Sequence, residues 1–193
     1  MRRKTELRIK KLLREVEKTA EKYIADGNEH TNQVMTLQLI DGRYKVIGIV
    51  MAPTSNDDEK DAAAWAMAQL VAPFDAYIYI SEAWMFAAKS REEVDEWIGR
   101  VKDHPNRVEC FNLHFVTKLG EELYKIWRII RPADGPAYLQ HDRDHEQPME
   151  GRFANFYRYT FPKPEGDTQF GSPRGRCYVQ TLPARLWEKR RPR

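Results

Sequence analysis

The stretch "QVMTLQLIDGRYKVIGIV", residues 33–50, constrains the fold more than any other part of the chain. Two strand-like apolar runs are joined by Asp41-Gly42, and an Asp-Gly pair between such runs signals a tight hairpin because both turn positions favour positive φ. Met35, Leu37 and Leu39 fall on one face of the first strand by period-two alternation. On the second strand the same alternation puts Tyr44, Val46 and Val50 on one face and Ile47 and Ile49 on the other, which predicts a strand covered on both sides.

The remaining elements assemble around this hairpin. Leu12, Leu13, Val16, Ala20, Tyr23 and Ile24 recur at helical spacing from residue 4 to about residue 26, with Gly27 as the stop. After the hairpin, "PTSNDDEKDAAAWAMAQLVAPF" reads as a helix capped by Ser55 or Asn56. Asp57, Asp58 and Glu59 suit its N-terminal dipole, and Trp65, Leu70 and Val71 serve as anchors against a sheet. A strand over 76–86 follows. Next comes a helix opened by a Ser90/Glu93 capping box, with Val94, Trp97, Ile98 and Val101 as its apolar stripe. Two more strands, 107–117 and 122–131, turn around Gly120. The order α-ββ-α-β-α-ββ predicts an α+β fold with a mostly antiparallel five-stranded sheet. Eight of the eleven prolines lie from Pro132 onward, which argues for loops and edge segments there. The expected organisation is an N-terminal helix or arm (1–27), an α+β core (28–131) and a loop-rich basic extension (132–193) packing on the core.

Charge is unevenly spread. Residues 1–22 carry nine Lys/Arg and four Glu, and residues 174–193 carry seven Lys/Arg and only Glu188. The intervening residues hold 16 basic and 24 acidic side chains. Basic ends on an acidic body predict an anionic partner, either nucleic acid or an acidic protein surface, the protein's own included, so that homo-oligomers are possible. No apolar stretch approaches the ~20 residues that span a bilayer. The basic N-terminus is followed by no apolar signal core. Cys110 and Cys177 form no ligand-spaced motif. A soluble cytoplasmic protein with free thiols is expected.

Three groups of residues carry candidate chemistry. The strand "DAYIYISEAW" (75–84) places Ile78, Ile80, Glu82, Trp84 and Phe86 on one face, and Arg107, Glu109, Phe111, Leu113 and Phe115 share a face of a later strand. If those faces match, Glu82 meets Arg107 with Glu109 nearby. Such a cluster is a structural ion pair or, with a raised carboxylate pKa, an acid/base pair. The ion pair is the simpler reading, and Glu82 and Glu109 are the weak catalytic candidates. The run "HDRDHEQ" (141–147) offers His141, Asp142, Asp144, His145 and Glu146 as weak candidates for a divalent metal, although no distant Cys or His pair completes a zinc pattern. Cys110 and His114 share strand parity, but four residues of strand is roughly 13 Å, too far for direct proton transfer.

The third group is aromatic and basic. "GRFANFYRYTFPKP" (151–164) interleaves Arg152, Tyr157, Arg158 and Tyr159 with further aromatics, the pairing that stacks bases and tracks phosphates in single-strand binding. The expected phosphate contacts come from Arg8, Lys11, Arg14 and Lys18 on the first helix and from Arg174, Arg176, Arg185, Lys189, Arg190 and Arg191 in the tail. Tyr157, Tyr159 and Trp187 are the stacking candidates. No P-loop, G-x-G-x-x-G, G-x-S-x-G or H-E-x-x-H motif occurs, so no cofactor is implied. The expectation is a non-enzymatic nucleic-acid-binding accessory protein. The alternatives are a protein-interaction module (an inhibitor or assembly subunit) and a hydrolase using Glu82/Glu109 or a metal at 141–146.

The central part, "DAYIYISEAW" followed by "HPNRVECFNLHFV" and a closing strand, resembles a group of small α+β proteins of bacteria and their phages. The shared features are the S-E-A-W segment, here Ser81 to Trp84, and an arginine-x-glutamate at a later strand start, here Arg107 and Glu109. The resemblance covers about half of the chain. It implies a single α+β domain and a bacterial or phage setting, and it carries no activity across.

Overall fold

The computed structural model describes residues 3–29, 32–52, 57–97, 100–142 and 180–183. Helix α1 (Arg3–Ala25) leads into strands β1 (Asn32–Ile40) and β2 (Arg43–Ala52). Then come α2 (Asp57–Val71), β3 (Ala76–Met85), α3 (Arg91–Trp97), a 3-10 turn at Val101–Asp103, β4 (Val108–Thr117), β5 (Glu122–Ile130), β6 (Tyr138–His141) and β7 (Gln180–Pro183). All pairings are antiparallel, in the order β6-β5-β4-β3-β1-β2-β7. The α+β class and the antiparallel sheet agree with the sequence pattern. The expected count of five strands does not: β6 adds a sixth at one edge and β7 a short seventh at the other. Both lie in the proline-rich part of the chain, where four-residue strands leave too little periodicity to read.

The β1–β2 turn adopts the expected conformation, with Asp41 at φ 52° and Gly42 at φ 74°. Beyond it the pairing slips. Thr36 faces Gly48 but Leu37 faces Val46, so Ile47 is an extra residue in β2. One inserted residue reverses the alternation downstream. Tyr44 and Val46 therefore pack in the same core as Ile49, while Val50 lies on the opposite face. The sequence grouping of Val50 with Tyr44 and Val46 is corrected by this bulge, and Ile47 is left half-exposed.

Each face of the sheet has its own helix. On the first face α1 buries Ile9, Leu12, Leu13, Val16, Ala20 and Ile24 against Met35, Leu37, Ile78, Ile80, Phe111, Leu113, Phe115, Trp127 and Ile129. On the second face α2 buries Ala63, Ala64, Met67, Ala68 and Val71 against Val34, Val50, Tyr77, Tyr79 and Val116. Trp65 and Leu70, expected as anchors, point outward with 42% and 40% of their surface exposed. The alanine side of α2 faces the sheet because small side chains let helix and sheet approach closely, and a tryptophan there would hold them apart.

Among the described residues α3 covers Arg91–Trp97, and Val101, expected on its apolar stripe, lies in the 3-10 turn; Ile98 lies outside the described residues. Ser90 Oγ accepts the Glu93 N–H, as a cap should, but the Glu93 carboxylate takes the N–H of Lys89 at 2.6 Å and lies 3.6 Å from His104 Nε2. The Lys89 N–H holds the Glu93 carboxyl below the usual carboxylate range. His104 is buried between Phe86, stacked at 4.2 Å, and the edge of Trp97 at 4.9 Å.

Candidate functional site

The direction of α1 sets the layout of the first face. Thr5 Oγ1 donates to Glu121 in the β4–β5 turn, and Lys125 in the middle of β5 donates to Glu17. The chain then leaves the helix past Gly27 and enters β1, where Gln33 pairs with Ile80. The C-terminal end of α1 therefore lies at the end of the sheet where β3 finishes and β4 begins. With the apolar stripe docked, Lys11, Arg14, Lys18 and Lys22 point to solvent on the far side of the helix. At 100° per residue these four occupy a sector of about 80°, and at 1.5 Å per residue they span about 16 Å. Lys10 is exposed on the flank, and Arg8 is half-buried. The burial of Tyr44, opposed by the nearby charge of Arg8, raises the phenol pKa. Of the expected α1 contacts, Lys11, Arg14 and Lys18 are thus on one open face. Lys22 belongs with them, a reading available from the helical spacing alone.

At the end of the sheet toward which α1 points, the register sets Trp84 opposite Glu109 and Glu82 opposite Phe111. The two strand faces match as the sequence pattern suggested, but the expected Glu82–Arg107 pair is not what forms. Arg131, just past β5, grips Glu109 with Nε at 2.8 Å and Nη2 at 2.7 Å, and the same Nη2 lies 3.8 Å from Glu82. Arg107 instead lies over the Trp84 ring at 5.1 Å and donates to the His104 carbonyl. A bidentate fork on a carboxylate is the geometry guanidinium favours. Hydrogen bonding to Glu109 raises the Arg131 pKa, so the cluster stays charged. Glu109 is thus clamped by two guanidinium contacts while Glu82 shares the same cation, so both carboxylates face Arg131 as an ion-pair cluster. Trp84 remains 43% exposed. A second Trp–cation contact, Arg100 over Trp97 at 5.2 Å, lies in the α3 segment.

The second face holds a polar band that sequence reading missed. His114 sits between Tyr79 on β3 and Tyr124 on β5, stacked on the Tyr124 ring at 3.7 Å with its Nε2 3.3 Å from a Glu122 oxygen. Burial pushes the imidazole pKa down, against a smaller upward pull from Glu122. The Tyr79 hydroxyl donates to Asn32 Oδ1 at 2.8 Å, and burial raises its pKa. Cys110 is fully buried, its thiol bonded to the Ala83 carbonyl, and burial pushes its pKa up to about 12. A thiol that acidifies so reluctantly is not a nucleophile at neutral pH. The signal for this band was the shared parity of Cys110, Asn112 and His114. What the sequence could not supply was Tyr79 and Tyr124 as the neighbours on either side.

The metal candidates separate. His141 pairs across from Trp127, its ring 5.6 Å away, whereas Asp142 is buried and accepts from Arg128 Nε at 2.7 Å. Arg128 and Trp127 point to opposite faces of the sheet, so His141 and Asp142 do not converge on one ion. Among the described residues no group of three His, Cys, Asp or Glu side chains could hold a metal. Asp144, His145 and Glu146 lie outside the described residues, as do Arg152, Tyr157, Arg158, Tyr159, Arg174, Arg176, Arg185, Trp187, Lys189, Arg190 and Arg191. Among the described residues no helix is long and apolar enough to cross a membrane. No protein-family model matches this sequence, and comparison with the curated proteins and with the solved structures returns no similar chain.

Proposed function

We propose that this protein is an accessory protein that binds nucleic acid, with the outer face of α1 supplying phosphate contacts. The observation that carries the reading is the docking of α1. Its apolar stripe is committed to the sheet, so the row Lys11, Arg14, Lys18 and Lys22 is fixed in place rather than borne on a mobile arm. Cations held in a row release counterions from a polyanion without first paying to order a chain. The basic residues expected in the tail would add to the same attraction.

The test is fluorescence anisotropy of the nuclease-treated protein with labelled single- and double-stranded DNA and RNA across a salt series. Four phosphate contacts give a slope of log K against log salt of about −3 on single strands and about −4 on a duplex. The triple variant Lys11→Gln, Arg14→Gln, Lys18→Gln is expected to shrink that slope by about 2 to 3. Absence of binding at low salt retires the reading, and an unchanged slope in the triple variant removes α1 from it.

A further inference from the structure

We infer that the Trp84–Arg107 stack is a base-stacking platform at the end of the α1 cation row, and that the polymer bound is therefore single-stranded. This rests on the nucleic-acid reading and narrows it.

Trp84 occupies a strand position on the same face as Ile78 and Ile80, both buried under α1, yet it lies beyond the helix and keeps 43% of its surface open. Exposing a tryptophan at that position forgoes the burial its neighbours gain. Arg107 covers one side of the indole at 5.1 Å, which orients the ring and leaves a cation beside it. Three carboxylates, Glu109, Glu82 and Glu29, act on Arg131, with Glu109 clamped by it, while Arg107 sets a second cation directly on the indole, where a phosphate beside a stacked base would meet it. The cation row and the tryptophan share one face of the sheet. The row also runs toward the tryptophan's end, because α1 starts against Glu121 and hands the chain to β1 where Gln33 pairs with Ile80.

A strand whose phosphates track the helix would thus arrive with a base beside an open indole. A duplex keeps its bases stacked on one another and offers no free face, so this arrangement selects unpaired bases.

The decisive experiment measures anisotropy of a labelled single-stranded oligonucleotide, the same backbone carrying abasic sites, and the corresponding duplex. Each is titrated with the full chain, with Trp84→Ala, with Trp84→Phe and with the α1 triple glutamine variant. Because Trp84 is half-exposed, its replacement is compatible with folding, which circular dichroism checks. Loss of one stacked base weakens binding by about 5- to 150-fold. Trp84→Ala is expected to show that loss on the base-bearing strand and not on the abasic one. Trp84→Phe, which keeps a ring, is expected to retain most of the affinity, and the triple variant to weaken both strands. If Trp84→Ala binds both strands like the parent while the triple variant weakens both, the platform is wrong and the polyanion reading stands. Equal parental affinity for duplex and single strand also overturns the platform. Absence of parental binding to all three overturns both.

Discussion

His114 shows how one side chain records its surroundings. It is 2% exposed, lies flat on Tyr124, and has its pKa depressed chiefly by burial. In the unfolded chain a histidine titrates near ~6.5. As pH falls through ~6.5 toward the lower folded value, the unfolded state takes up a proton that the folded state refuses, so stability is lost over that window. It is present in full above ~6.5 and levels off once pH drops below the folded pKa. Urea midpoints from pH 7.5 to 5 are expected to fall more steeply for the parent than for His114→Gln, and parallel curves would dismiss the effect. Not all of this environment was legible in the sequence. Parity placed His114 on a strand face, but the rings that bury it come from β3 and β5, and only the strand order brings them together. Glu82 is a parallel case. Its face and its neighbour Glu109 were readable, whereas its cation was misassigned because Arg131 sits at the end of a third strand whose position relative to β4 sequence spacing leaves open.

At the scale of elements, the two helices illustrate opposite degrees of legibility. Helix α1 is amphipathic enough that its buried side follows from spacing, with Tyr23 the one expected core residue left half-exposed. Helix α2 is apolar nearly all round from Ala62 to Val71, so periodicity cannot choose a face and side-chain size misleads. The close packing of alanines decides it. Met67→Ala is therefore expected to cost about 2–5 kcal/mol through transfer and cavity terms. Trp65→Ala, the larger deletion, is expected to cost less than Met67→Ala because the ring is open to water on one side and its removal leaves no enclosed cavity. Denaturant titration of the two variants gives the order, and a larger loss at Trp65 would refute the assignment of the buried face.

For the whole molecule, the two edges of the sheet are closed in different ways. β6 borders β5 after a short connection, but β7 reaches β2 across most of the chain's length. β7 pairs only with Gly48 to Met51, four residues of a ten-residue strand. An uncovered β2 edge presents unpaired N–H and C=O groups to any extended chain. A variant ending at residue 179 is expected to gain mass with concentration in sedimentation at micromolar loading, where the full chain does not. A monomeric truncated protein would show that β7 is dispensable as an edge cover. This pairing was beyond sequence reading because "QTLP" carries no pattern of its own and takes its strand character from β2.

That long-range pairing also has a consequence in time. Gln180 is made 129 positions after Met51, a delay of roughly 6 to 26 s at about 5–20 residues per second. Throughout that interval β2 is the bare rim of a growing sheet on the ribosome. The part of β2 that β7 never reaches carries Arg43 and Lys45, both exposed. Charged side chains on an open rim discourage neighbouring nascent chains from adding their own strands. Two cations thus already stand on this rim during synthesis, before its last strand exists.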